Sequence, residues 1–184
     1  GIAGLELNVS CPNLADGLIF GTDPRLLSSL VESVRKATPL PLLVKLTPNV
    51  TDIVRMARAA VEAGADALSL INTLLGMAID IETRRPKLAN ITGGLSGPAI
   101  RPVAVRMVYQ VAKALRVPLV GMGGIVSAQD ALEFLIAGAQ AVAIGTGNFI
   151  EPTSCLQVIE GLESYLIQHQ ISHLRDLIGT LNTG

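Results

Sequence analysis

Five stretches of the chain read as buried strands: 5–10 (LELNVS), 42–47 (LLVKLT), 67–72 (ALSLIN), 118–123 (PLVGMG) and 141–146 (AVAIGT). Each is a short apolar run bounded by turn residues. Between them, apolar residues recur at helical spacing over 23–37, 51–63, 102–115, 128–137 and 154–168. The first of these helices carries Pro24 in its opening turn and a stripe of Leu26, Leu27, Leu30, Val31 and Val34, with Thr22 as the expected N-cap. Strand alternating with helix predicts a parallel sheet, because parallel strands need a crossover between them.

The interval from 72 to 118 is too long for one helix. Within it, 79–81 and 87–89 flank Glu82-Thr83-Arg84 and predict a small hairpin. The insertion as a whole, 74–100, is expected to lie over a binding face, where long connections usually carry function. The segments EAGADAL (62–68) and IAGAQAV (136–142) echo one another as helix end, turn and entering strand. Such joints suit a barrel and a doubly wound sheet equally.

Polar positions separate those two folds better. In LELNVS the residues Leu5, Leu7 and Val9 face one way and Glu6, Asn8 and Ser10 the other. A sheet covered by helices on both faces needs apolar residues on both, whereas a barrel strand carries functional polar groups inward near its C-terminal end. Lys45 interrupts LLVKLT in the same way, and ALSLIN ends in Asn72-Thr73. Burying an ammonium is costly unless an anion or an electron-rich group meets it. The last two strands end instead in glycines: Gly121, Gly123 and Gly124, then Gly145, Thr146 and Gly147. Backbone amides exposed at such ends suit a phosphate, and TGGLSGP (92–98) is a third candidate loop. Two consecutive glycine-ended strands match the phosphate site after strands seven and eight of a (β/α)8 TIM barrel. Counting back makes the first strand the fourth. The expectation is one α/β domain over 1–184 holding strands 4 to 8 of such a barrel with their helices, its N-terminal units missing. A barrel typically has about 250 residues, or about 31 per unit, which fits that count.

Composition narrows the function. Hydrophobic residues make up 49% and charged residues 16%, which excludes disorder. Fourteen basic against fifteen acidic residues, without clusters, argue against nucleic acid or a membrane surface as partner. No apolar run approaches a membrane span, so a soluble, cytoplasmic protein is expected. Cys11 and Cys155 can form neither a disulfide framework nor a four-thiolate metal site. Cys155 falls in the last helix and reads as structural. His169 and His173 could share a helix face as metal ligands but lack a third partner, so no metal site is expected. Cys11, in SCPN on a strand-end loop, is either a small buried hydrophobe or a base, since a thiol with a pKa of about 8.5 needs only modest tuning.

The segments ELNVSCPN (6–13), FGTDP (20–24), VKLTPN (44–49), INTLLGM (71–77), LANITGGLSGPAIRPVAVRMVY (88–109), GMGGI (121–125) and AIGTGNF (143–149) together resemble the dihydroorotate dehydrogenase family, class 1B above all. The resemblance implies an FMN enzyme of pyrimidine biosynthesis that oxidises dihydroorotate to orotate. Cys11 corresponds to its general base. Asn8, Asn72 and Thr73 correspond to substrate-binding positions. Asn8, Lys45, Ile71, Gly97, Gly123, Gly124, Gly145 and Thr146 correspond to flavin-binding ones, with Lys45 against the ring and the last four at the phosphate. The loop 11–22 is expected to be a lid. Class 1B also implies a homodimer paired with an electron-transfer subunit carrying FAD and a 2Fe–2S cluster, with NAD⁺ as acceptor, while class 1A members use fumarate. Two cysteines here cannot hold that cluster. A half-open barrel exposes strand edges, so the 184 residues alone are expected to bind FMN weakly or not at all. Two rival readings are a pyrimidine-reducing flavin domain of the dihydropyrimidine dehydrogenase type and a non-catalytic barrel fragment acting as an assembly module.

Overall fold

The computed structural model describes residues 1–10 and 19–184. Five parallel strands form one sheet: β1 (Leu5–Asn8), β2 (Leu42–Leu46), β3 (Ala67–Leu70), β8 (Leu119–Met122) and β9 (Ala141–Ala143). Their spatial order is their chain order. A doubly wound sheet reverses direction at a switch point; this sheet does not, and it continues one way like a barrel wall.

The helices α2 (Pro24–Ala37), α3 (Ile53–Glu62), α4 (Arg101–Ala114), α5 (Ala128–Ala137) and α7 (Ser154–Gln168) supply the crossovers and the closing layer. The core lies between them and the sheet. Leu42, Val44, Leu46, Leu68, Leu70 and Leu119 point into it from the strands, and Leu27, Val31, Ala57, Val108 and Phe134 meet them from the helices. A Cβ on Gly121 would stand 2.6 Å from the Phe134 ring, so α5 seats directly on β8 because that strand position has no side chain. Period-two alternation turns the intervening residues to the other face. Asn8, Lys45 and Ser69 are lateral neighbours there, Asn8 opposite Lys45 and Lys45 opposite Ser69.

The strands end one to three residues earlier than the sequence suggests, since pairing stops where the polar ends turn into loops. The insertion is more ordered than expected. β5 (Ile79–Asp80) pairs with β6 (Arg85–Pro86), and outside it β4 (Leu74–Met77) pairs antiparallel with β7 (Thr92–Leu95). Residues 92–95 are therefore strand rather than phosphate loop, and only Ser96 and Gly97 of TGGLSGP reach the cleft described below. Gly94 lets β7 close against Thr73, whose hydroxyl sits where a Cβ would be.

Three local expectations are corrected. Ile19–Thr22 form a short helical turn, α1, rather than part of a lid loop; residues 11–18, Cys11 among them, lie outside the described residues. His169 ends α7 as its C-cap and His173 precedes a separate 3₁₀ turn, so the two do not share one helix face. The N-cap of α2 is Asp23 rather than Thr22: its Oδ1 accepts from the Arg25 amide at 2.8 Å and its Oδ2 pairs with the Arg25 guanidinium at 3.2 Å. A carboxylate accepts these amide donors better than a hydroxyl.

The hydrogen bond from the Arg25 side chain, then that from its amide, holds the Asp23 carboxyl below its ordinary value. A carboxyl depressed in the folded state contributes stability above the unfolded pKa and loses it as pH falls through the lower folded one. The first turn of α2 is therefore expected to fray at acidic pH before the core opens. Amide exchange followed against pH checks this, and D23N should remove the acid dependence at 25–27; an unchanged profile would deny Asp23 the role.

Candidate active site

A cleft of about 220 Å³ opens at the C-terminal ends of β2, β3, β8 and β9. Nine of the expected site residues line it: Lys45, Ile71, Asn72, Thr73, Gly97, Gly123, Gly124, Gly145 and Thr146. They come from points up to about a hundred residues apart in sequence, joined because parallel strands all end on one side.

Asn72 is the hub of the polar wall. Its Nδ2 lies 2.9 Å from Asn8 Oδ1, 2.8 Å from the Ser10 carbonyl oxygen and 3.0 Å from Ser10 Oγ. Its Oδ1 accepts from the Thr73 amide at 2.8 Å, and its own amide donates to the Leu46 carbonyl. Asn72 is thus fixed at both ends of its side chain. It ties the end of β1 to the end of β3 and brings Asn8 to the rim. Among the described residues, Asn8 Nδ2 has no protein partner, which leaves a donor beside the cleft for a ligand.

Two residues that sequence reading did not select complete this wall. Asn49 donates from Nδ2 to Thr47 Oγ1 at 2.9 Å and to the Thr73 carbonyl at 3.0 Å, while its Oδ1 accepts from the Leu75 amide at 2.8 Å. It pins Thr73 and the root of β4 to the loop after β2. Glu6 lies 3.2 Å from Lys45 Nζ through Oε1 and accepts from Ser69 Oγ at 2.9 Å through Oε2. Lys45 therefore stands on the barrel face with a counter-charge. The alternation in LELNVS marked Glu6 as inward-facing, but nothing in it named the partner.

The opposite wall is backbone. Gly123 and Gly124 have φ of 128° and 82°, and Gly97 has φ of 88°. At Gly97 and Gly145 a Cβ would meet no atom within 4 Å, so the main chain borders open space on the cleft side. Thr146 Oγ1 donates to Ser96 Oγ at 2.7 Å, joining the end of β9 to the end of the insertion. Apolar Ile100, Met122 and Ile144 fill the floor. The arrangement can hold a flat, partly apolar ring between a polar rim with one cation and a glycine-lined anion end. Cys155 stands apart on α7, exposed, its thiol 3.3 Å from Asn148 Oδ1.

Among the described residues no helix is long and apolar enough to cross a membrane. The family model for dihydroorotate dehydrogenase matches residues 2–166. The chain is 60% identical over 181 residues to a protein of Geotalea daltonii named dihydroorotate dehydrogenase B (NAD(+)), catalytic subunit, covering 98% of this chain and 59% of that one. A protein of Alkaliphilus metalliredigens with the same name is 59% identical over 178 residues, 96% of this chain and 59% of its own length. Among solved structures, the dihydroorotate dehydrogenase of Eimeria tenella in complex with ferulenol superposes with a TM-score of 0.81 at 26% identity, covering 97% of this chain and 54% of that one. Its ligand-free form gives 0.82. The chain thus spans about 60% of the length of the curated relatives it matches. By sequence and by fold, the chain belongs to the dihydroorotate dehydrogenase family.

Proposed function

We propose that this chain carries the FMN- and substrate-binding face of an enzyme that oxidises dihydroorotate to orotate. The observation that carries the reading is the convergence of Lys45, Asn72 and Thr73 with the glycine-bearing ends of β8 and β9 on one cleft, with Asn8 hydrogen-bonded to Asn72 beside it. The residues fit FMN: open space faces the main chain at Gly97 and Gly145, where a phosphate could approach amides, and Ile71 and Ile100 supply apolar contact.

Held by Lys45, Ile71 and the glycine-lined wall, FMN would supply the acceptor for the hydride that leaves C6 of dihydroorotate. The chain's own residues do the rest. Cys11, as thiolate, takes the proton from C5, so that the C5=C6 double bond of orotate forms as both hydrogens depart. Asn72, locked by its bonds to Asn8 and Ser10, holds the pyrimidine in place together with Asn8 and Thr73. Holding the reacting carbons near base and acceptor is worth a large part of the barrier. Lys45, which lines the cleft, would lie against the ring and favour negative charge on it. The insertion over 74–100 is anchored through Asn49 and Thr146 and brings Ser96, Gly97 and Ile100 to the cleft.

In the whole enzyme the electrons leave through a partner subunit holding FAD and a 2Fe–2S cluster and pass to NAD⁺, the catalytic subunit itself being a cytoplasmic homodimer. The names of the relatives, a catalytic subunit acting with NAD⁺, support that route. The test is the visible spectrum of the full-length polypeptide before and after anaerobic dihydroorotate. A flavin spectrum that bleaches is the expected result. Flavin that stays oxidised would remove dihydroorotate as substrate, and a protein that binds no flavin would overturn the cofactor assignment.

A further inference from the structure

The Glu6–Lys45–Ser69 cluster is a built charge pair on the barrel face. β1, β2 and β3 present these residues on one side of the sheet, and Lys45 pairs laterally with Ser69. Each oxygen of the Glu6 carboxylate has its own partner, Lys45 Nζ at 3.2 Å and Ser69 Oγ at 2.9 Å. Ser69 is fully buried, so its hydroxyl holds the carboxylate in one orientation. The Lys45 side chain is 23% exposed and lines the cleft. A lone ammonium in that position would present its whole charge to whatever occupies the cleft. A carboxylate at 3.2 Å offsets much of that field at distances longer than the pair's own separation.

We propose that Glu6 is a positioning residue that moderates the positive charge Lys45 presents to the flavin ring, and so holds the flavin less electron-hungry than an unpaired lysine would. The inference rests on the assignment of FMN to this cleft. Ser69 acts through Glu6 by fixing which oxygen faces Lys45. Asn8, the other polar neighbour of Lys45 across the ladder, is neutral and engaged with Asn72, so it cannot supply the counter-charge.

Sulfite is a suitable probe because its sulfur lone pair forms a bond to flavin N5 and pushes the displaced electron pair onto the ring, where a nearby cation stabilises it. In the full-length holoenzyme, E6Q should retain FMN and bind sulfite about tenfold more tightly, the effect of one uncompensated charge near a ring at a moderate effective dielectric. The flavin midpoint potential should rise in parallel. Combined with Lys45→Met, which by itself leaves Glu6 uncompensated and should weaken sulfite binding, E6Q should bring the affinity back toward that of wild type, because the two charges act on the ring with opposite signs. Sulfite affinity that is unchanged or weaker in E6Q with FMN bound overturns the proposal while leaving the cofactor assignment intact. Wild-type enzyme without FMN overturns the assignment itself. If E6Q does not fold, E6D keeps the charge but draws it back by one methylene and should tighten sulfite in the same direction by a smaller factor; no tightening there overturns the proposal equally.

Discussion

Replacing Cys11 by alanine in the full-length holoenzyme is expected to lower dihydroorotate turnover by about 10³-fold, within the range a positioned general base contributes. The flavin spectrum and the FMN stoichiometry should stay as they are. Cys11 directly follows Ser10 in the sequence, and Ser10 is buried and tied through both its carbonyl and its hydroxyl to Asn72. The residue preceding Cys11 is therefore a fixed point beside the residues assigned to the pyrimidine. Alanine removes the proton acceptor without adding bulk or charge, so substrate binding should survive, and dihydroorotate should still perturb the oxidised flavin spectrum on binding. Stopped-flow reduction by dihydroorotate under anaerobic conditions reads the step directly. Reduction within about tenfold of wild type would place the base elsewhere, because loss of a positioned base costs more than that.

The parts of this site that were legible in the sequence follow from strand alternation or from what stands at a strand's end. Asn8 and Lys45 stood out because a strand alternates, and a polar residue on the inward side of a barrel strand has few structural reasons to be there; Asn72 stood out as the polar end of its strand. The glycine-ended strands stood out because they came as a pair. Partners across the sheet left no such mark. Glu6 meets a lysine 39 positions away, and Asn49 meets Thr73 24 positions away; only the folded sheet decides which inward residue touches which. The outer ladder of the insertion was hidden for a different reason. Thr92-Gly-Gly-Leu has the composition of a loop, and it pairs as a strand because glycine at 94 leaves room for Thr73. At α2 the choice between adjacent Thr22 and Asp23 as cap was decided by Arg25, which the carboxylate engages through both backbone and side chain. Propensity ranks those residues nearly alike.

Gly124→Ala is the second substitution expected to have a large effect, on FMN affinity and on the fold around it. Gly124 has φ of 82°, a backbone region that L-residues seldom occupy. A Cβ there would stand 2.6 Å from the carbonyl oxygen of Gly97, 3.0 Å from Arg101 Cβ and 3.1 Å from the Arg101 amide nitrogen. Two of these neighbours are main chain and cannot turn aside by a change of rotamer. Neither is free to shift. Gly97 accepts from the Ile100 amide at the start of α4. Arg101 is held by its ion pair with Asp130, which is buried and closes the capping box of α5 while accepting from the Val126 and Ser127 amides. The methyl group therefore pushes apart β8 and the end of the insertion, the two elements whose main chain forms the anion end of the cleft. Strain at positive φ and a backbone clash together should cost about 2–4 kcal/mol of stability. FMN affinity should fall by about 100-fold or more, since misplaced amides lose their hydrogen bonds to phosphate. Gly76→Ala supplies the control: it lies in the same insertion, on β4, and its Cβ would find only ordinary contact, 3.5 Å from Leu95 Cβ. That variant should bind FMN like wild type. Equal FMN affinity in the Gly124 and Gly76 variants would mean that the glycine-lined wall is structural and that the phosphate lies elsewhere.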